Sequence, residues 1–272
     1  MRIIFVLLLT TSLSLTSSPI FAFPKASLVP GGVAIVELGN SDQTPQFKFL
    51  DNPVLITQET NSYFAIVGLP LSLKPGEYFI SGHWGNELAL QKKFFTVVNK
   101  EYSTQRINIE DKRKVNPYAS DMDRIWAEQK RQKKAKKHYS KSLVDIELLQ
   151  PTEGIMTGSF GRRRIFNGEA RRPHSGMDIA ADEGLPVIAP SKGKVIDVGD
   201  FFFSGNLVYV DHGQGMVSLF AHLSEINVTL GQQIKKGDII GKVGATGRVT
   251  GPHLHWSLGL NGTWVDPALF LP

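Results

Sequence analysis

The sequence predicts an all-β protein, in which a small N-terminal sandwich and a basic helical linker precede a C-terminal domain built on an antiparallel sheet. Three observations predict it. Short runs rich in β-branched and aromatic residues recur through both ends of the chain. Gly 26 and Pro 15 in 272 residues supply the turns that short strands need. One central stretch lacks this punctuation and is dense in charge, as an exposed helix would be. The length exceeds one ordinary domain, and a hydrophobic content of 42% is enough for packed cores.

Residues 1–22 read as a secretory leader: Arg2 supplies the positive start, Ile3 to Leu9 the apolar run, and Ala22 a small residue at a cleavage point. The apolar run is far shorter than the roughly 20 residues a membrane span needs. Residues 23–100 read as an accessory sandwich of immunoglobulin-like type. VAIVEL, FKFL, VLITQ, YFAIVGL, EYFISGHW and KKFFTVVN are its strands. His83 stands alone there, beside Trp84, and receives no functional role.

Residues 101–145 read as the linker. Asn116-Pro117 breaks the chain, and Ser120 is placed to cap a helix from Asp121 to about Lys137. Its only apolar face is Ile125, Trp126 and Ala127, so the helix is expected to be semi-rigid and exposed. Between Arg124 and Lys141 eight basic residues face one acid, Glu128, which accounts for the formal charge of +5. A solvated face, or attraction to anionic envelope polymers, explains such a run. Nucleic acid is not an expected partner of an exported chain. Residues 146–272 return to short strands, among them NLVYVDHG, MVSLFAHL and HLHWSLGL.

Cysteine is absent, which excludes disulfides, thiol catalysis and Cys-based metal sites. Histidine is concentrated instead. Five of the 7 lie in the C-terminal domain, four of them in three motifs: His174-x-x-x-Asp178, Phe220-Ala221-His222-Leu223 and His253-x-His255. In a strand, residues two apart share a face, so His253 and His255 project together while Leu254 and Trp256 turn to the core. An extended segment would likewise put His174 and Asp178 on one side. A catalytic zinc site needs three protein ligands and an open position. Two histidines and one aspartate meet that need and leave two histidines for proton transfer.

The set HSGMD, FAHLS and TGPHLHW, in that order, resembles the LytM/lysostaphin-type zinc peptidases, which cut peptidoglycan peptides. GSFGRRR, VIAPSKGKV, GNLVYVDHG and GQQIKKGDIIGKVGATGRVTGPHLHW extend the likeness over about Pro151 to Pro272. The resemblance implies a zinc cofactor held by His174, Asp178 and His255. It places His222 and His253 beside the hydrolytic water, one as general base and one steadying the oxyanion. His212 receives no metal role. Arg162, Arg163, Arg164, Arg171 and Arg172 lie just before His174. Arg171 and Arg172 are the expected ligands of stem-peptide carboxylates.

The implied function is an exported, periplasmic endopeptidase acting on peptidoglycan stem peptides, at D-Ala–diaminopimelate cross-links in preference to pentaglycine bridges. Relatives that lack the ligands bind and activate cell-wall amidases; this chain keeps all five residues. GQQIKKGDIIGKVG also resembles lipoyl-carrier turns, but the leader and the histidines oppose a carrier. The N-terminal unit is expected either to dock an envelope protein or to cover the cleft. In the second case a chain beginning near Leu143 would be more active than one beginning at Phe23.

Overall fold

The computed structural model describes residues 23–85, 87, 89–157 and 159–272; the leader expected at 1–22 lies outside them. The N-terminal unit is a sandwich because its strands alternate. Pro45–Phe49 buries every second residue, and Phe47 and Phe49 point inward. One sheet orders Val33–Gly39, Ser62–Gly68 and Leu55–Glu59; the other orders Asn52–Pro53, Pro45–Phe49, Gly76–Trp84 and Gln91–Val97. Leu38, Phe47, Phe49, Val67 and Ile80 close the space between them.

The C-terminal domain is organised by an antiparallel sheet. Its path runs Gln233–Ile234, Gly193–Phe201, Gly205–Gly213, Met216–Leu223, His253–Leu260, Met177–Ala180 and Ile155–Met156. The two central strands are buried on both faces, and period two divides them between two cores. Val208, Val210, Met216 and Phe220 join the main core under the small sheet of Pro186–Ile188, Ile239–Lys242 and Glu225–Ile226. Leu207, Tyr209, Val217, Leu219 and Ala221 face the other way, into a second core shared with Ala135 of the linker.

That second core corrects the expectation of an exposed linker helix. The helix Met122–Lys136 docks on the sheet's outer face through Ile125, Glu128 and Ala135, whereas Trp126 is 59% exposed. Arg124 pairs with Asp200 at 3.0 Å and Arg131 with Asp197. The buried Glu128 carboxylate accepts the amide of Phe202 at 2.8 Å. Ser120 does not cap the helix: a turn at Ala119–Asp121 precedes it, and the Asp121 carboxylate accepts the Tyr118 amide. Upstream, Thr104–Ile107 forms a strand parallel to Arg163–Phe166, so part of the linker belongs to the sheet of the hairpin Arg163–Phe166/Glu169–Arg171.

The sandwich also packs directly on the C-terminal domain. Asn261 brackets Gly68 with two side-chain bonds, its amide oxygen accepting from the Gly68 amide at 2.7 Å and its amide nitrogen donating to the Gly68 carbonyl at 3.0 Å. Gln214 brackets Ile56 in the same way. Val33, Leu55 and Ile66 enter the main core. No helix among the described residues is long and apolar enough to cross a membrane.

Candidate metal centre

Strand register places the histidines. Asp178 lies opposite His255 across one strand pair, and Ala221 lies opposite His255 across the next, so His222 arrives at the same end of the sheet. His253 and His255 open their strand with the inward Leu254 and Trp256 fully buried between and behind them, as period two requires.

His174 gets there differently from the expected extended segment. It lies before the strand Met177–Ala180, in a loop fixed by backbone bonds. The Gly161 amide donates to its carbonyl, and its own amide donates to the Arg162 carbonyl. Gly176 lets this loop close. A Cβ there would sit 2.5 Å from Ser257 Oγ and 2.7 Å from the His255 ring.

Three donor atoms converge. His174 Nε2, His255 Nδ1 and Asp178 Oδ1 form a triangle with sides of 2.9 Å, 2.9 Å and 3.1 Å. The outer ring nitrogens fix the tautomers. His174 Nδ1–H donates to the Ser159 carbonyl at 3.0 Å, which turns the Nε2 lone pair inward. His255 Nε2 is 2.9 Å from Ser257 Oγ; donation there leaves the Nδ1 lone pair inward as well. Two lone pairs and a carboxylate oxygen then face one point with no proton between them, a repulsive arrangement unless a cation occupies it. Tetrahedral ligands at roughly 2.0–2.1 Å from zinc lie about 3.3 Å apart, so this donor set fits such an ion.

Burial grades the cluster. The His174 side chain is 1% exposed, while Asp178, His255 and His253 keep 16%, 12% and 20%, so the site opens to solvent on one side. Burial, followed by the facing His255, lowers His174 to about 4 even with Asp178 beside it.

His222 and His253 stand beside the triangle, with ring centroids 4.9 Å apart, and His222 lies 5.9 Å from His255. Each is oriented through Nδ1, His222 donating to the Thr246 carbonyl at 2.8 Å and His253 to the Gly251 carbonyl at 2.9 Å. Their Nε2 atoms are left for other chemistry. Burial, then the neighbouring His255 and His253, lowers His222 to about 3, so it is an acceptor at neutral pH. His222 also adopts φ 66°, which is rare for a residue with a Cβ and common at functional sites.

His212, given no metal role from sequence, is buried away from the cluster. It donates to the Lys192 carbonyl and accepts from Ser218 Oγ, which in turn accepts from Trp256 Nε1. It therefore braces the strand that carries His253 and His255. His212→Ala is expected to cost about 1–3 kcal/mol by stranding these partners. Burial lowers the His212 pKa, so below about 6.5 the unfolded chain takes up a proton that the folded chain refuses. This residue's contribution is complete above that pH and falls as pH drops below it. Urea unfolding from pH 5 to 8 should show a shallower acid slope in His212→Ala than in the parent.

The arginines redistribute. Arg171 is committed to the linker, donating to the Val115 carbonyl, Asn116 Oδ1 and Glu169 Oε2 at 3.2, 3.0 and 2.9 Å. Arg172 is exposed and makes none of the hydrogen bonds at the cluster. Arg164 reaches the centre instead, with Nη2 3.1 Å from Asp178 Oδ2, and fixes the oxygen that the triangle does not use. Sequence reasoning missed three supports, Ser159, Thr246 and Ser257. Ser159 and Thr246 orient the rings of His174 and His222 through backbone carbonyls, which leave no residue-type signal. Lone serines such as Ser257 carry little.

The description of peptidase family M23 matches residues 172–267, and that of the family's N-terminal domain matches residues 26–100. A solved peptidase M23 structure from Pseudomonas aeruginosa is 39% identical, with a TM-score of 0.76 over 90% of this chain and 95% of that one. The peptidoglycan DD-endopeptidase ShyA of Vibrio cholerae is 39% identical over 112 residues, 41% of this chain and 26% of ShyA. The cell division protein DipM of Caulobacter vibrioides is 40% identical over 129 residues, 45% of this chain and 20% of DipM. The chain thus spans only about a fifth to a quarter of these two relatives. With the full-length likeness to the Pseudomonas structure beside the two family matches, the chain belongs to peptidase family M23.

Proposed function

We propose that this protein is an exported zinc endopeptidase that hydrolyses peptide cross-links of bacterial peptidoglycan in the periplasm. The observation that carries the reading is the convergence of His174 Nε2, His255 Nδ1 and Asp178 Oδ1 beside two further imidazoles. A zinc ion held by these three residues would make water acidic and polarise the scissile carbonyl. His222 Nε2 and His253 Nε2 face the reacting atoms, one accepting the water's proton and the other, as an imidazolium protonated at both nitrogens, donating to the oxyanion as the carbonyl becomes tetrahedral. The carbonyls of Thr246 and Gly251 hold these rings in the tautomer that offers Nε2. The leader pattern of residues 1–22 supports export. The likeness to ShyA, whose name specifies a DD-endopeptidase, favours D-Ala–diaminopimelate cross-links.

The amidase-activator reading fits poorly, because an activator has no use for five intact polar residues in one opening. Incubation of the purified protein with zinc and diaminopimelate-type sacculi should release uncrosslinked muropeptides, identified by mass. A chelator should stop it, and added zinc should restore it. Sacculi left crosslinked at every zinc concentration would overturn the peptidase reading.

A further inference from the structure

Arg248 lies in the loop between Thr246, which orients His222, and His253. Its guanidinium is sandwiched by two rings, 4.8 Å from the Phe166 centroid and 4.5 Å from that of Phe203. Among the described residues its side chain makes one hydrogen bond, from Nη1 to the Lys114 carbonyl at 3.2 Å. Among the described residues no carboxylate lies within ion-pairing distance of it, whereas Arg113, Arg124 and Arg131 each have one. Arg164 lies against the same Phe166 ring, 5.8 Å from its centroid. The Arg164 Nε is buried and has no hydrogen-bond partner among the described residues.

Two cations are thus held in one partly desolvated corner, and one of them touches the metal-ligating carboxylate. Burial, then the charges of Arg164 and Arg171, lowers Arg248 to about 10, so it remains charged at neutral pH at an electrostatic cost. A half-buried guanidinium that stacks on rings and lacks an anion is costly to hold unless something else supplies the anion. The ring sandwich fixes the plane of its fork and leaves most of its N–H groups free for a bidentate partner.

We infer that Arg248, with Arg164 beside it, forms a carboxylate-binding subsite next to the metal centre that takes a free carboxylate of the stem peptide. This rests on the peptidase reading for its substrate class and assigns to Arg248 the part expected of Arg171 and Arg172. The linker supplies one wall through the Lys114 carbonyl.

Calorimetry on the full chain tests it with three probes: a diaminopimelate-type stem tetrapeptide, the same peptide amidated at the D-Ala carboxyl, and the same peptide amidated at the diaminopimelate carboxyl. One amide should bind the parent protein at least about tenfold more weakly than the acid. Arg248→Gln should lose that preference, and Arg248→Lys should keep part of it, retaining charge without the fork. Equal affinity of the parent for all three probes overturns the subsite, and needs no variant to fold. So does Arg248→Gln binding the acid as tightly as the parent, or a parent that binds none of the probes. Discrimination without cleavage of sacculi would sink the peptidase reading and leave the subsite standing; cleavage without discrimination would do the reverse.

Discussion

Asp178→Asn is expected to lower hydrolysis of crosslinked sacculi by about a thousandfold or more and to strip the protein of metal. The substitution is nearly isosteric, and the backbone bonds that place residue 178 survive it. Ser159 Oγ still accepts the 178 amide, and the 178 carbonyl still accepts from Thr157. Lost are the negative charge facing His174 and His255 and the ion pair to Arg164. Lewis-acid stabilisation contributes several kcal/mol to such transition states, and each 1.36 kcal/mol is about tenfold in rate. His222→Ala and His253→Ala separate the roles. Each should retain zinc by atomic absorption while losing roughly 10²–10⁴-fold in rate, the range for positioned acid–base groups. If Asp178→Asn kept its zinc and most of its rate, the triangle would not be the metal centre.

The parts of this protein that follow period two were legible in its sequence. His253 and His255 share a face because they lie two apart, and the glycine of HSGMD stands where a Cβ would strike the His255 ring. The strands of the sandwich are legible for a different reason, their β-branched and aromatic content between turn residues. The linker was misread because its buried face is not an apolar stripe. Met122, Ile125, Glu128, Gln132 and Ala135 share a face by helical spacing, but one of them is a carboxylate and one an amide. What holds it is a set of ion pairs and one buried acid whose partners, Asp197, Asp200 and Phe202, are some seventy residues away in sequence. The strand Thr104–Ile107 offered no apolar alternation to find, because Ile107 is the one hydrophobic residue of its four. Arg171 and Arg172 are near His174 along the chain. In space Arg164 reaches the centre, and it shares the Phe166 ring with Arg248, which lies in a separate loop just before His253.

Docking of the linker reverses the expectation for a shortened chain. A protein beginning near Leu143 should be less stable and less active than one beginning at Phe23. Among the described residues no hydrogen bond joins residues 23–100 to any of the five site residues. What the shortening removes is support. Phe201 loses Arg131, which lies 4.5 Å from its ring centroid, and Phe202 loses Lys114 and the Glu128 carboxylate on its amide. Phe160 loses the turn at Gly31. These rings are 1%, 4% and 4% exposed. Exposing them costs roughly 5 to 9 kcal/mol together, comparable with the about 5–15 kcal/mol that holds a domain folded. Phe160 and Gly161 also belong to the loop that fixes His174, and Gly161 is covered by the Tyr102 ring, so the damage reaches the metal centre. Thermal melts and muropeptide release from the two chains decide the matter. A fragment from Leu143 that melts as high as the longer chain and cleaves faster would show that the linker restrains the enzyme. The packed phenylalanines and the bracketed His174 loop make it a structural part of the site.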